Sequence, residues 1–443
     1  MKIEEVPQDL KYCKDAVVRD QNYAVDSEGR YHMVKSDGWT PKNDALDLAL
    51  EEDEDKEERS RMTMQTSDEF QGFELNISHQ PAAHCENGAI STLLRYYGIE
   101  LSEPMIFGLA SGLFFTHLSF IKMGGMPVTS FRTFPGVLFM RITKLLGIKS
   151  KTQRFFSREA AMRKLDELLL KQQKPVGCVV GMYELPYMPP EYRFRFNGHN
   201  ICVTGKDTVS GDYLVLDSNA TQKVTISPED LAKVRFPNGG VYPLMGQMYW
   251  IKSVPEQMPD LKPLILKSIH KTCWYMVSQP KFIKYVGTNG ILYLSERIRN
   301  WETTMGKRKA LLNLAQVVRM LEEIGTGGAG FRFMYGAFLQ EAADITGINE
   351  LNDYCRRITE IGDLWRDFAY KASRIIKGRS SKSHSSSLED GRVATELGEA
   401  KRRSSKGERD QYTYDDLGDL LQIIAEEERT LFLDLEQCIK HNS

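Results

Sequence analysis

Three residues that are far apart along the chain have the types that nucleophilic catalysis requires: Cys85, His199 and Asp217. A thiolate can attack an acyl carbon, an imidazole can hold the proton, and a carboxylate can fix the tautomer of that imidazole. The alternative for the cysteine is a small buried apolar residue, the usual state of an intracellular cysteine. The surrounding sequence decides whether these three side chains could meet.

Cys85 is expected at the N-terminus of a helix. Apolar residues recur at helical spacing over 89–97, and Gly98 supplies a stop signal. Pro81 and the alanines that follow it argue that the chain before the cysteine is not yet helical. In that position the unpaired backbone N–H groups and the helix dipole favour a thiolate.

His199 and Asp217 are expected on two neighbouring strands. The runs 196–205 and 212–219 are rich in β-branched and apolar residues, and 206–211 reads as the turn between them. His199 opens the first strand and Asp217 ends the second, so an antiparallel hairpin makes them neighbours. Asn219 is the alternative orienting residue. The order of a cysteine on a helix, then a histidine, then an acid or amide is that of papain-like enzymes.

An oxyanion would be held by the backbone N–H of Cys85 together with a side-chain donor shortly before it. Gln80 and His79 both fall in range, although neither matches the papain spacing. Removing one such donor typically lowers the rate about 100- to 1,000-fold. The sequence leaves the choice between these two residues open.

Composition excludes several classes of protein. The net charge of −2 gives no reason to expect a nucleic-acid partner. The seven cysteines show no metal-binding spacing, so no metal is expected, and with no signal peptide the expected location is the cytoplasm. The uncharged run 104–121 approaches the length of a membrane span, but Gly108, Gly112 and His117 interrupt it. A buried helix and strand are favoured over membrane contact.

The expected fold class is α+β. Residues 1–60 form a small β-hairpin and helix module with an acidic linker, and 61–256 form a papain-like domain whose cysteine-bearing helix packs on an antiparallel sheet. Residues 257–443 form a mostly helical domain, in which the Ser-, Lys- and Arg-rich segment 378–411 is expected to be disordered.

Other residues are weaker candidates for binding. The Gly-rich loop 325–330 precedes a helix and could hold phosphate, but it lacks the Lys and Ser/Thr of a P-loop, and close helix approach is the commoner cause. Arg332 follows this loop. Arg132 either lines a pocket or belongs to a structural loop. The segment 183–195, just before His199, could gate the site.

Two parts of the chain resemble a known family. Residues 84–89, 108–115 and 198–199 resemble the N-terminal domain of butirosin biosynthesis protein H, and 325–332 with Tyr335 and 338–339 resemble the helical domain of unknown function that often follows it. The resemblance spans roughly 70–376 and leaves out 1–60 and 378–411. It adds Tyr335 to the substrate-binding candidates Arg132 and Arg332.

The resemblance implies a cysteine acyltransferase. Such an enzyme takes an acyl group from the thioester of an acyl carrier protein and passes it to an amine on a natural product, or to a hydroxyl in lipid- or pigment-type biosynthesis. The implied partners are the carrier protein and a small-molecule acceptor. No cofactor of the enzyme's own is implied, because the 4′-phosphopantetheine arrives on the carrier. A cysteine peptidase or amidase and a non-catalytic carrier-binding scaffold are the alternatives, and the three reactive residues argue against the scaffold.

Overall fold

The computed structural model describes most of the chain: residues 70–123, 125–189, 197–238, 243–280, 283–383 and 412–442, with three short strands before them. These strands are β1 (Leu10–Lys11), β2 (Tyr23–Asp26) and β3 (Tyr31–Met33), which pair antiparallel. β2 and β3 lie on either side of the segment where the hairpin turn was expected. The helix expected from Thr40 and the acidic run 51–58 lie outside the described residues.

The remaining strands belong to one large sheet and one hairpin: β4 (Gly72–Glu74), β5 (Leu113–Met123), β6 (Met126–Arg132), β7 (Lys149–Gln153), β8 (Val176–Gly181), β9 (Asn197–Asp207), β10 (Tyr213–Leu216), β11 (Val224–Ile226) and β12 (Met248–Ser253). The seven-stranded sheet has the order β11-β10-β9-β8-β12-β7, with β4 beside the far end of β9. All its pairings are antiparallel, and β5 and β6 form the separate hairpin.

The helices of the first half are α1 (Cys85–Tyr96), α2 (Glu103–Leu109), α3 (Val137–Leu145), α4 (Arg158–Asp166) and α5 (Pro228–Arg235). Those of the second half are α6 (Leu261–Val277), α7 (Gly287–Ile298), α8 (Trp301–Met305), α9 (Lys307–Glu322), α10 (Arg332–Thr346), α11 (Leu351–Ser383) and α12 (Tyr414–His441). The chain is thus α+β, with an antiparallel sheet and helices first and a mostly helical region after it. None of the described helices is long and apolar enough to cross a membrane.

The helix α1 forms where its apolar spacing predicted it. Ile90, Leu93 and Leu94 are buried on one face, which packs on β9. Gly98, just after the helix, has φ +73°, a left-handed conformation that glycine adopts without steric cost. The helix therefore begins at Cys85 and ends where its stop signal stands.

The core is continuous between the two halves of the chain. Phe107 of α2 stacks on Phe331 at 4.8 Å between ring centroids, and the β5–β6 hairpin brings Phe115 and Phe131 to 5.9 and 5.1 Å from Trp365 of α11. Aromatic pairs at these distances contribute about 0.5–1.5 kcal/mol each beyond the area they bury. The helical region is therefore packed into the first half.

Helix α11 corrects one prediction from composition. It runs through Ser383 and so includes the first six residues of the segment 378–411 that was expected to be disordered. The helical pattern that begins at Leu351 continues past the point where the composition changes. The rest of that segment lies outside the described residues.

Candidate active site

The β9–β10 hairpin brings His199 and Asp217 together as predicted. His199 lies near the start of β9, and Asp217 directly follows β10. Their side chains are 2% and 0% exposed, and His199 Nε2 lies 2.7 Å from Asp217 Oδ2. Because this contact occupies Nε2, the Nδ1 atom is the one left to face the sulfur of Cys85.

Asp217 is held by two further donors. Its Oδ1 accepts the backbone N–H of Asn219 at 2.9 Å, and its Oδ2 accepts the hydroxyl of Tyr187 at 3.0 Å. Burial acts to raise the pKa of Asp217, but the charge of His199 and these hydrogen bonds outweigh it and lower the pKa. The carboxylate is therefore ionised although it is fully buried.

The Asp217 charge also controls His199. Burial alone would lower the pKa of the imidazole, but Asp217 and a hydrogen bond to Cys85 raise it to about 10. The ring is therefore an imidazolium at neutral pH. A cation beside a cysteine sulfur favours the thiolate, which is the nucleophilic form.

Cys85 differs in its surroundings from four other cysteines that the structure describes. It is the first residue of α1 and is partly exposed. Four other cysteines are buried, and burial raises the pKa of each thiol: Cys178, Cys202, Cys273 and Cys355. An apolar burial of this kind makes a thiol inert, so these four are structural.

Asn200 also reaches the sulfur, and sequence reasoning missed it. Its Nδ2 lies 3.8 Å from Cys85 Sγ and donates to the carbonyl of Gly198 at 2.9 Å. Its Oδ1 accepts the hydroxyl of Tyr249 at 2.9 Å, which fixes the orientation of the amide. The only available signal was its position next to His199.

The chain just before Cys85 is anchored by Glu103 of α2. The two carboxylate oxygens accept the backbone N–H groups of Ala83 at 3.0 Å and His84 at 2.6 Å. Burial raises the pKa of Glu103 to about 7, although these bonds act in the opposite direction. Glu103 therefore sets where α1 begins, and with it the place of Cys85.

Arg132 is brought to the site, where it links the two residues that flank Cys85. Its Nη2 lies 2.6 Å from Glu86 Oε2, and its Nη1 lies 2.6 Å from His84 Nε2. A guanidinium can only donate, so His84 must accept, and burial followed by the Arg132 charge lowers the pKa of His84 well below 6.5. Glu86 also accepts the N–H of Gly136 at 3.0 Å.

The Gly-rich loop of the helical region lies against this same segment. A Cβ built on Gly325 would lie 3.1 Å from the carbonyl oxygen of Ala83, and one on Gly330 would overlap the ring of Phe131 at 2.5 Å. Phe331 makes an edge contact with His84 at 5.3 Å between ring centroids. The glycines therefore allow close approach between protein segments.

Two of the predicted residues, His79 and Asn219, make contacts other than those expected, and the role of a third is not tested by its position. His79 Nε2 lies 2.8 Å from the carbonyl of Ala220, so that ring nitrogen is used to hold the chain after Asp217 and not an oxyanion. Asn219 is exposed and binds Asp217 through its backbone N–H, so its side chain is not the orienter. Gln80 is exposed, and its role as a donor stays a prediction.

The prediction that Arg332 and Tyr335 bind substrate was wrong. Both are 0% exposed. Arg332 forms a two-point contact with the buried carboxylate of Glu428, at 2.9 and 3.0 Å, and Trp365 Nε1 donates to the same carboxylate at 2.8 Å. A buried cation needs such a partner, and the pair ties α10 to α12. Tyr335 packs against Phe338 and Phe432.

No cluster of three or more His, Cys, Asp or Glu side chains in the described part of the chain is arranged to hold a metal ion. What the described geometry offers is a partly exposed sulfur at a helix N-terminus, next to a buried imidazolium and carboxylate.

Comparison with known families gives two adjacent matches. Residues 84–218 match the N-terminal domain of butirosin biosynthesis protein H, and residues 229–391 match a domain of unknown function, DUF4872. The two matches together span about two thirds of the chain. None of the curated proteins matches it. The chain thus has the butirosin biosynthesis protein H-like architecture, in which the N-terminal domain of that protein family is followed by DUF4872.

Proposed function

We propose that this protein is a cysteine acyltransferase in which Cys85 carries the acyl group, His199 moves the proton and Asp217 holds the imidazolium. The observation that carries the proposal is the buried 2.7 Å contact between His199 and Asp217, on a ring that is also hydrogen-bonded to Cys85. Membership of a family linked to acyl-transfer steps in butirosin biosynthesis supports acyl transfer over other uses of these residues.

In the first half-reaction, the thiolate of Cys85 attacks the carbonyl carbon of a thioester on an acyl carrier protein. The backbone N–H of Cys85, at the N-terminus of α1, stabilises the oxyanion. The carbon–sulfur bond of the donor then breaks. His199 gives its proton to the departing pantetheine thiolate, and the acyl group remains on Cys85 as a new thioester.

In the second half-reaction, the amine or hydroxyl of an acceptor attacks the acyl carbon of Cys85. His199, now neutral, takes the proton from that acceptor through Nδ1. The bond to Cys85 breaks, and the thiolate and imidazolium are restored. Asp217 stays ionised throughout and keeps the ring in one orientation.

Transfer requires that water does not reach the acyl-enzyme. Two described features would contribute to this. Tyr187, in the segment 183–189, covers Asp217, and burial followed by the nearby carboxylate raises its pKa well above 10, so its hydroxyl remains a donor. The loop that contains Gly325 and Phe331 covers the chain just before Cys85. The helical region would therefore form one wall of the site.

The proposal is tested by incubating the protein with an acyl-loaded carrier protein and measuring its intact mass. An acyl adduct is expected on the wild type and on Cys438→Ser, the matched control at the other partly exposed described cysteine, and not on Cys85→Ser. An added amine should discharge the adduct faster than water does. Peptide cleavage without an adduct would instead indicate a peptidase, and absence of both would contradict an enzymatic role.

A further inference from the structure

A group of cations lies on two helices next to the turn that follows Arg132. Arg141 and Lys144 are three residues apart on α3, and Lys267 and Lys271 are four residues apart on α6. Tyr275, one turn further along α6, lies between the helices, with Arg141 Cζ 5.1 Å and Lys271 Nζ 5.8 Å from its ring centroid. We call the surface formed by these five residues the α3–α6 face.

Within this face, Arg141 donates to the backbone carbonyls of Ala110 and Ser111 and to the hydroxyl of Tyr275, none of which carries a negative charge. Among the residues that the structure describes, no carboxylate forms an ion pair with any of the four cations. Burial, followed by Arg141, Lys267 and Lys144, lowers the pKa of Lys271, so the cations lie close enough to repel one another. Like charges one helical turn apart destabilise a helix. The fold therefore carries a small cost that an anionic partner would relieve.

Large apolar side chains accompany these cations. Phe134, in the turn before α3, is 66% exposed, Met140 on α3 is 58% exposed, and Trp274 on α6 is 45% exposed. Met140 lies one turn before Lys144, and Trp274 lies three residues after Lys271. Protein interfaces commonly combine aromatic and methionine side chains with a charged rim.

This face is covalently and physically connected to the surroundings of Cys85. The turn at Phe134 joins Arg132 to α3, and Gly136 at the start of α3 donates its N–H to Glu86, the residue after Cys85. A protein docked on α3 would therefore lie next to the segment that positions the nucleophile.

We propose that the α3–α6 face is the docking site of the acyl carrier protein that delivers the acyl group, with an acidic helical surface of the carrier facing the four cations. This inference rests on the proposed function. Charge complementarity is the reason for choosing an acidic protein: the face is basic although the chain as a whole has a net charge of −2. A membrane is disfavoured because the apolar face of α6, with Ile265, Ile269 and Cys273, is buried in the core.

The test compares two double variants that make the same change in charge. Lys144→Glu with Lys267→Glu alters the face, whereas Lys307→Glu with Lys309→Glu alters exposed lysines on α9. For each protein, the initial rate of Cys85 acylation is measured by intact mass with an acyl carrier protein thioester and with the corresponding acyl-pantetheine. The ratio of the two rates isolates docking, because the small thioester has no protein surface.

The ratio is expected to fall about tenfold or more in the Lys144/Lys267 variant and to stay at the wild-type value in the α9 variant, because electrostatic steering changes association rates by about 10- to 1,000-fold. The wild-type ratio should also fall with added salt. An unchanged ratio in the face variant would overturn the inference. Acylation of the wild type by acyl-pantetheine but not by the carrier thioester would overturn it too, while leaving the acyl-enzyme intact.

Binding of a fluorescently labelled apo acyl carrier protein tests the face without any chemistry. At low salt the wild type and the α9 variant should bind it, and the face variant should bind at least tenfold more weakly. Absence of wild-type binding contradicts the inference even if the cysteine is acylated. Charge-dependent retention on phosphatidylglycerol vesicles, with carrier binding unchanged between variants, would assign the face to a membrane.

Discussion

Replacing Asp217 with Asn tests the arrangement of Cys85, His199 and Asp217, because Asp217 controls both the charge and the tautomer of His199. The bond from Asn219 N–H holds Oδ1, so the new amide nitrogen would take the place of Oδ2 and face His199 Nε2. An amide N–H2 can only donate, which forces Nε2 to accept and puts the ring proton on Nδ1, towards Cys85. In that tautomer the ring cannot take a proton from the thiol and carries no charge.

The size of the effect follows from the pKa of His199. Asp217 and Cys85 raise that pKa to about 10 against the effect of burial, whereas the ordinary pKa of a histidine is about 6.5. In Asp217→Asn burial dominates, and the pKa is expected below 6.5. Since one pKa unit corresponds to about 1.4 kcal/mol, the imidazolium loses on the order of 5 kcal/mol of stabilisation. This energy belongs to the coupled pair and is counted once.

The assay is alkylation of Cys85 by iodoacetamide between pH 6 and 9, with peptide mapping to identify the modified residue. The wild-type rate should vary little over this range, because the imidazolium that faces the sulfur persists until the pH approaches about 10. In Asp217→Asn the rate at pH 7 should be about tenfold lower and should rise with pH like that of an ordinary thiol with pKa about 8.5. Asp212→Asn, on the turn of the same hairpin, is the control.

Stability gives a second readout with a defined sign. The folded-state pKa of His199 lies above its unfolded value, so the ion pair stabilises the fold fully below about pH 6.5 and is lost as the pH rises through about 10. The difference in Tm between wild type and Asp217→Asn should therefore shrink from pH 7 to pH 10. Identical alkylation profiles, or a Tm difference independent of pH, would refute the reasoning.

The other predictions concern packing around the site. Arg332→Met leaves the buried Glu428 carboxylate without its partner and should lower the free energy of unfolding, measured with urea, by about 3–5 kcal/mol. Adding Glu428→Gln in a double variant should recover most of this loss. A loss below about 1 kcal/mol in Arg332→Met would show that the pair contributes little to stability. Gly325→Ala and Gly347→Ala, at φ +60° and +72°, should each lower the free energy of unfolding by about 1–2 kcal/mol. Only Gly325→Ala should also slow cysteine alkylation, because its methyl group would lie 3.1 Å from a backbone carbonyl oxygen beside the site. Equal alkylation rates in both variants would argue against the helical region forming one wall of the site. Tyr187→Phe should lower stability by about 0.5–1.5 kcal/mol, measured by Tm, and an unchanged Tm would mean that its hydroxyl contributes nothing to Asp217.

The parts of the site that could be predicted from the sequence depend on local structure. Helical spacing after Cys85 placed it at the start of α1, and a two-strand pattern with a short turn was enough to bring His199 beside Asp217. In both cases the informative residues lie within about 20 positions of one another. The antiparallel sheet and the helical second half followed from the same periodic patterns.

The roles of the arginines could not be predicted in this way. The partner of Arg132 lies 46 residues away in Glu86, and that of Arg332 lies 96 residues away in Glu428. An arginine has the same local pattern whether it binds a substrate or a buried carboxylate, and only the packing of distant segments decides between them. Asn200 and Glu103 were missed for the same reason.

The stacking of Phe107 on Phe331, together with the contacts of Phe115 and Phe131 with Trp365, has a consequence for how this chain can be divided. A cut between the two matched regions, near residue 225, would expose aromatic surface on each fragment and remove the loop that packs against the chain just before Cys85. The boundary between the two family matches is therefore not a boundary between independently folded domains. The two halves of the chain should unfold together in one cooperative transition.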